Sequence, residues 1–534
     1  MTAFRLLTLV TLTLGIVFPV AAGERAPAPR DVSPDRFIDP VVRKIDRHLD
    51  AFWDANKITP APRADDAEYL RRLSLDLVGR IPTASEARAF IESKDPDKRN
   101  KKIDELLSRP GYLNHFATTL RQLWIPQASG GDRLLQFIAP QFEGWIRTRL
   151  RDNVPMDKIV RDMLTVPTLF AGRGAQTFEN GQGESPFLFV QANEFKPENV
   201  AAAASRLFLG VKIECAQCHN HPFAPYKKEQ FWELAAFFAE VQPAIANVSD
   251  PKYKREIRIP GDKPVTVQAR FFNDRTEPVW DAKKSPRETF ADWLTSPSNP
   301  YFARNMVNRA WAHFLGLGLI EPIDEPSEDN PPVMPELLND LATAYRESGY
   351  DTRFLIRVIT RSKAYQLTSR QTHESQANAK QFARMNVKGM TGEQLLDSLS
   401  IATGFVDPTP IPQRPFEIGP RGQFLARFSS TEKLTEKQTS ILQALTLMNG
   451  KLVNDQTSLE RSSYLAGVID APFLDTPGKV DALFLASLSR LPTQAEAERF
   501  GSYVDRGGSN GDNKKAVTDV FWALLNSSEF VLNH

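Results

Sequence analysis

Arg80-Ile81-Pro82-Thr83-Ala84-Ser85-Glu86-Ala87-Arg88-Ala89-Phe90 returns far along the chain as Arg490-Leu491-Pro492-Thr493-Gln494-Ala495-Glu496-Ala497-Glu498-Arg499-Phe500. In both copies a threonine is followed three residues later by a glutamate. That spacing lets each side chain accept from the other's backbone N–H, the reciprocal cap that opens a helix. The proline just ahead of the threonine ends whatever helix comes before. Each copy is followed by an amphipathic stretch ending in two leucines and then an aromatic, Leu106-Leu107 with Tyr112 and Leu524-Leu525 with Phe530. The repeat predicts a helix–Pro turn–helix unit used at both ends of the chain.

Outward from these units the texture stays helical. Phe37, Val41, Ile45, His48 and Phe52 recur at three or four residues, which puts them on one face of a helix over 37–56. The same spacing predicts helices over Glu68–Leu77, Lys101–Leu107, Asn199–Phe208, Glu229–Phe238, Phe302–Phe314, Pro335–Tyr345, Phe354–Ile359, Gly392–Ala402 and Ser440–Met448. One segment breaks the pattern. Glu256–Ile259 and Val265–Phe271 alternate polar and apolar residues around Pro260-Gly261-Asp262-Lys263-Pro264, a hairpin signal. The expected fold is therefore mainly α, a multi-helical two-domain protein with a small β-hairpin insertion. Its expected organisation is a helical domain over 37–245, the hairpin and linker over 246–286, and a second helical domain over 287–534.

Length and composition agree. At about 150 residues per domain the 534 residues allow three or four domains, which the pattern reduces to two large ones. The 66 Lys and Arg against 65 Asp and Glu leave a net charge of +1. That excludes a chain-wide basic footprint for nucleic acid, and no basic stretch is interleaved with aromatics. Residues 171–186 are Gly-rich but lack the spacing of either phosphate-binding glycine motif, so they read as a loop.

The first 22 residues carry one positive charge, an apolar run from Leu6 to Val20, then Ala21 and Ala22. This is the pattern of a cleaved secretory signal, and the run is short for a bilayer span. Residues 23–36 read as a tail. The expected location is outside the cytoplasm: periplasmic, cell-surface or extracellular. No membrane span is expected after cleavage.

Both cysteines of the chain fall in Cys215-Ala216-Gln217-Cys218-His219-Asn220-His221-Pro222-Phe223, with two of its seven histidines. Three chemistries use such a segment. Two thiols three apart reach the two vinyl groups of a haem, and the adjacent His219 then falls under the iron as axial ligand. Alternatively, Cys215 and Cys218 with His219 and His221 supply ligands suited to zinc. Or the two thiols pair with each other in an oxidising compartment. For haem, the sequence offers Met156, Met163, Met306, His115 and His313 as a second axial ligand, and spacing selects none.

A second group is polar. Arg304, Asn308, Arg309 and His313 fall near one side of the helix predicted over 302–314. The run Glu321, Asp324, Glu325, Glu328, Asp329 follows it. Such carboxylates bind hard cations or act in pairs on sugars, while the ordinary reading is a solvated loop or an ion-pair network. An extracellular polysaccharide is the ligand this group would suit, as an extracytoplasmic redox partner is for the cysteine motif.

Several of these stretches carry a family resemblance. Tyr69-Leu-Arg-Arg-Leu-Ser-Leu-Asp-Leu-Val-Gly79-Arg-Ile-Pro-Thr83, Arg206-Leu-Phe-Leu-Gly210-Val-Lys-Ile-Glu-Cys215-Ala-Gln-Cys218-His219-Asn-His221-Pro-Phe223 and Phe231–Phe238 resemble the cytochrome-like DUF1549 (PSCyt2) domain of planctomycete secreted proteins. Asn299–Gly318, Glu321-Pro-Ile-Asp324-Glu, Asn330-Pro-Pro332, Pro335–Leu338 and Leu442–Gly450 resemble its partner domain, DUF1553 (PSD1). The resemblance implies two consecutive domains, export and a presumed cytochrome role for the cysteine motif; it implies no established activity. Two positions depart from the family pattern: Ala224 stands where relatives commonly carry Asp, and Phe428–Lys433 lacks the second cysteine motif of many relatives.

Overall fold

The computed structural model describes residues 35–129, 132–167, 185–221, 225–241, 255–261, 264–272, 277–327, 329–405, 419–428, 450, 454, 456 and 458–534. The apolar run Leu6–Val20, the Gly-rich segment through residue 184, Pro222–Ala224, Glu328 and the helix expected over Ser440–Met448 lie outside them.

The described residues are mainly helical. The first helices are α1 (Asp35–Ala55), α2 (Asp66–Val78), α3 (Ala84–Glu92), α4 (Lys98–Ser108), α5 (Pro110–Trp124), α6 (Arg133–Arg151), α7 (Met156–Leu164), α8 (Leu188–Ala192), α9 (Pro197–Ala204) and α10 (Lys228–Ala235). After the hairpin β1 (Glu256–Ile259) and β2 (Val265–Gln268) come α11 (Pro286–Leu294), α12 (Phe302–Leu315), α13 (Pro335–Glu347), α14 (Thr352–Arg361) and α15 (Lys363–Gln366). A short strand β3 (Lys388–Gly389) leads to α16 (Gly392–Thr403), α17 (Pro420–Phe428), α18 (Ser463–Asp470), α19 (Thr476–Leu488), α20 (Gln494–Asp505), α21 (Asn513–Leu525), α22 (Ser528–Val531) and β4 (Leu532–Asn533). None of the described helices is long and apolar enough to cross a membrane.

Two hydrophobic cores organise these elements. The first runs from Ile38 to Met385, takes in Leu485 from α19, and draws on both sides of residues 246–286. In it α1 packs on α13 and α14, α5 on α2 and α6, and α12 on α13. The second gathers Met390, Leu399, Phe484, Phe521, Phe530 and their neighbours from α16–α22, together with Leu75 and Ile81 from the other end of the chain. Helix α2 therefore lies between the cores. Asp65 caps it by accepting from Glu68 N, and every residue from Tyr69 to Val78 is buried. Tyr69, Leu73 and Leu77 face the first core and Leu75 faces the second.

Both repeat units fold as predicted. Thr83 with Glu86, and Thr493 with Glu496, each form the reciprocal cap. Arg80 Nη1 donates to Ile81 O at 2.9 Å, and Arg490 Nη1 to Leu491 O at 3.1 Å, so each turn is closed by the same arginine. Helix α3 of the first unit packs on α19 of the second. The preceding helices both end in left-handed backbone, at Gly79 (φ 72°) and Ser489 (φ 62°). At position 79 the conformation and the space both demand glycine: a Cβ there would lie 2.5 Å from His115 Nδ1.

The hairpin forms with Ile259 opposite Val265 and Glu256 opposite Gln268. It is shorter than the alternation to Phe271 suggests. Phe271 leaves the strand to stack on Phe237 and Trp293, and Phe272 turns against Tyr226. Burial of two aromatic rings outweighs two more ladder bonds.

A buried polar seam joins the cores. Arg71 donates to Ser487 O and Phe530 O, and Arg72 to Tyr365 O, Leu367 O and Glu68 Oε1. Asp76, 2% exposed, accepts from Lys388 Nζ at 2.7 Å, Asn533 Nδ2 at 2.7 Å and Tyr365 OH at 2.9 Å. Lys388 also donates to His313 O and Phe314 O at the end of α12. Beside it the half-buried rings of His115 and His313 lie 6.4 Å apart. Burial, reinforced by His313, holds His115 down at about 3, and burial lowers His313 too.

Removing one member of the central pair strands the other without a counter-charge. We expect Asp76→Asn to cost about 3–5 kcal/mol in a urea melt. Asp76→Leu combined with Lys388→Met should cost less than the sum of the two single changes; strict additivity would show that the pair is not coupled.

The histidines give a pH signature. As pH falls below 6.5 the unfolded chain takes up protons that His115 in the fold refuses until about 3. Stability is therefore full above pH 6.5 and drains across that window, at no more than about 1.4 kcal/mol per pH unit for each histidine. Thermal melts of wild type and His115→Gln between pH 7.5 and 5 test this: the variant should show the shallower dependence, and equal slopes would refute it.

Candidate functional site

The cysteine motif is reached through an irregular turn. Helix α9 widens into a π turn at Ser205–Leu209 and ends at Gly210 with φ 71°. Ser205 Oγ and the Val211 carbonyl close the turn at 2.8 Å. Val211 and Ile213 are buried, and Glu214–Gln217 then form one 3-10 turn. Cys215 lies in this turn and Cys218, three residues on, is its C-cap residue; both are exposed free thiols. Ala216, fully buried, anchors the opposite side.

Helix α10 fixes the far end of the motif. Trp232 Nε1 donates to Gln217 O at 3.0 Å, and Asn220 Oδ1 accepts from Lys228 N at 3.0 Å at the start of that helix. His221 N donates to Tyr226 O, and the His221 ring stands edge-on to Tyr226 with centroids 5.9 Å apart. His219 is exposed, with Nδ1 2.7 Å from Asn220 O. A carbonyl oxygen only accepts, so Nδ1 carries the proton, and in the neutral ring Nε2 keeps its lone pair.

The polar residues of the second half of the chain hold the segment that leads into the motif. Asn305 Nδ2, on α12, donates to Leu207 O at 2.7 Å. One turn on, Arg309 Nη2 donates to Arg206 O at 2.5 Å and pairs with the Asp324 carboxylate. The Asp324 carbonyl in turn accepts from Lys212 N at 2.9 Å. Arg206 lies 3.7 Å from Glu214, and Lys212 3.7 Å from Glu325. Burial raises the Glu214 and Asp324 carboxyls above their usual range and lowers the Arg309 guanidinium. Glu214 Oε2 is buried and makes no hydrogen bond among the described residues.

The remaining members of the predicted polar group shape the loop itself. Asn308 grips Ile320 through both amide atoms, Nδ2 to Ile320 O at 3.0 Å and Ile320 N to Oδ1 at 2.9 Å. Glu321 Oε2 accepts from Gly318 N, and its carbonyl accepts from Lys380. Arg304, half-buried one turn before Asn308, stands outside this network among the described residues. Sequence reasoning thus found Arg309 and Asp324 but placed them apart from the cysteines. It missed Asn305, Asn220 and Trp232, whose spacing carries no signal because their partners are backbone atoms of distant segments.

Of the residues considered as a second axial ligand, Met156 and Met163 are buried on α7, His115 and His313 sit in the seam, and Met306 is half-buried on α12. No group of three or more His, Cys, Asp or Glu among the described residues is placed to hold a metal ion.

Gly210 is the hinge of the arrangement. A Cβ there would lie 2.7 Å from Asn305 Oδ1, in backbone already left-handed. Gly210→Ala should cost about 1–3 kcal/mol and raise amide exchange over 206–221 above that of α9; unchanged exchange there would disprove the hinge.

Comparison with protein families returns two matches. Residues 44–243 match PSCyt2, a protein of unknown function (DUF1549), and residues 286–420 match PSD1, a protein of unknown function (DUF1553). No curated protein and no solved structure is significantly similar to the chain.

Proposed function

From its membership of the PSCyt2 and PSD1 families, we propose that this chain is an exported protein whose functional centre is Cys215-Ala216-Gln217-Cys218-His219, a site for covalent haem c. The observation that carries the reading is one turn of backbone. One exposed thiol lies in the 3-10 turn and the other on the residue that caps it, and the next residue offers an imidazole whose Nδ1 is already held by a carbonyl.

That donor set fits a haem. Cys215 and Cys218 would form the two thioethers, and His219 would present Nε2 as axial ligand. The Asn220 carbonyl holds the ring and, by accepting from Nδ1–H, strengthens its other nitrogen as a donor. Asn220 Oδ1 is itself fixed by α10. A haem bound there would supply a one-electron carrier, and the surface position of the motif suits exchange with an extracytoplasmic redox partner. Export is supported by the signal-like opening residues, because c-type haem is attached outside the cytoplasm.

Expression with haem-attachment machinery, directed by the chain's own first 22 residues, tests the reading. We expect a Soret band and a haem-stained band that survives denaturation, both lost in Cys215→Ser with Cys218→Ser. His219→Ala should keep the thioether-bound colour but shift the spectrum. Colourless protein, or protein recovered with a Cys215–Cys218 disulfide, would overturn haem attachment.

A further inference from the structure

We infer that Arg309 and Asn305, from the PSD1 half of the chain, are positioning residues for the Cys215–Cys218 pair, so that the cysteine site is a composite of both families. The inference rests on the reading that this motif is the functional centre, and it extends that reading to what the second domain does.

A π turn breaks the regular i to i−4 ladder and leaves carbonyls in need of donors. Here those carbonyls belong to Arg206 and Leu207, and α12 supplies the donors, Arg309 and Asn305. Arg309 acts twice. One hydrogen bond from Nη2 holds the chain at residue 206, in the first half of the turn. Its ion pair fixes Asp324, whose carbonyl holds Lys212 N after the turn. The segment 206–212 is therefore fastened at both ends by one guanidinium, and Cys215 follows three residues later. Both contacts leave one nitrogen, Nη2, and a lysine side chain is one bond shorter, so its ammonium reaches the two points less well. Asn305 also packs on Gly210 where any larger residue would collide.

The thiols feel this clamp through their effective concentration. Oxidising the pair forms one S–S bond and releases two electrons and two protons, which convert one glutathione disulfide to two glutathione thiols. Holding both thiols on a fixed turn favours that closure; loosening the turn disfavours it.

The test uses full-length protein without haem, equilibrated across glutathione redox buffers, alkylated and read by mass spectrometry. We expect Arg309→Ala to move the midpoint toward the reduced pair by about fivefold or more, with Arg309→Lys only partly restoring it. Val468→Ala, in the second core, supplies the control: it should lower the melting temperature without moving the midpoint. If Arg309→Ala does not fold, Arg309→Lys and Asn305→Ala carry the measurement. A midpoint unmoved by these changes, a control that shifts it equally, or a wild-type pair that stays reduced at every ratio would overturn the inference. The readout is thiol chemistry alone, so protein that never takes up haem would defeat the haem reading and leave this result standing.

Discussion

Asp76 and Lys388 are the constraint on which the rest of the structure leans. A carboxylate and an ammonium buried together survive only when every remaining lone pair and proton finds a partner. Asp76 satisfies the demand with Tyr365 and Asn533, and Lys388 does so with two carbonyls at the end of α12. Those partners come from three segments, and with the pair's own two they make five, so one pair fixes α2, α12, α15, β3 and β4 relative to one another. Apolar burial alone would tolerate sliding between the two cores. The buried pair does not.

The same logic, at lower stakes, places the cysteine motif. Its thiols and one imidazole are exposed, and the segment 206–217 that carries it presents backbone carbonyls to Asn305, Arg309 and Trp232. A loop at a surface acquires a defined shape when its backbone is hydrogen-bonded from below, and here two families of domain contribute the donors. Composition gave no reason to expect this, because the donors are ordinary helix residues until the π turn is known.

How much was legible follows from the range of the interactions involved. Capping boxes, the α1 and α12 faces and the hairpin depend on neighbours within a few residues, so Thr83, Thr493, Val41 and Ile259 announce their roles in the chain itself. The two cysteines stand out by their spacing alone. The pairing of residues 388–389 with 532–533 is too short to carry a period, and the burial of Arg71, Arg72, Asp76 and Lys388 contradicts the usual expectation for charge. These depend on partners hundreds of residues away in sequence, which no local pattern encodes. The polar group around Arg309 and Asp324 was recognisable as a network; what it holds was not.

Helix α2 has a consequence for the order of events in folding. Arg71 and Arg72 are among the earliest residues of the fold to be synthesised, yet their acceptors include the carbonyls of Ser487, Phe530 and His534. Until that last stretch has emerged, two guanidinium groups in the middle of the first helices have no place in an apolar interior. The core cannot close around them early. A nascent chain of this sequence therefore stays open, and available to whatever handles unfolded polypeptide, until its final helices arrive to complete the seam.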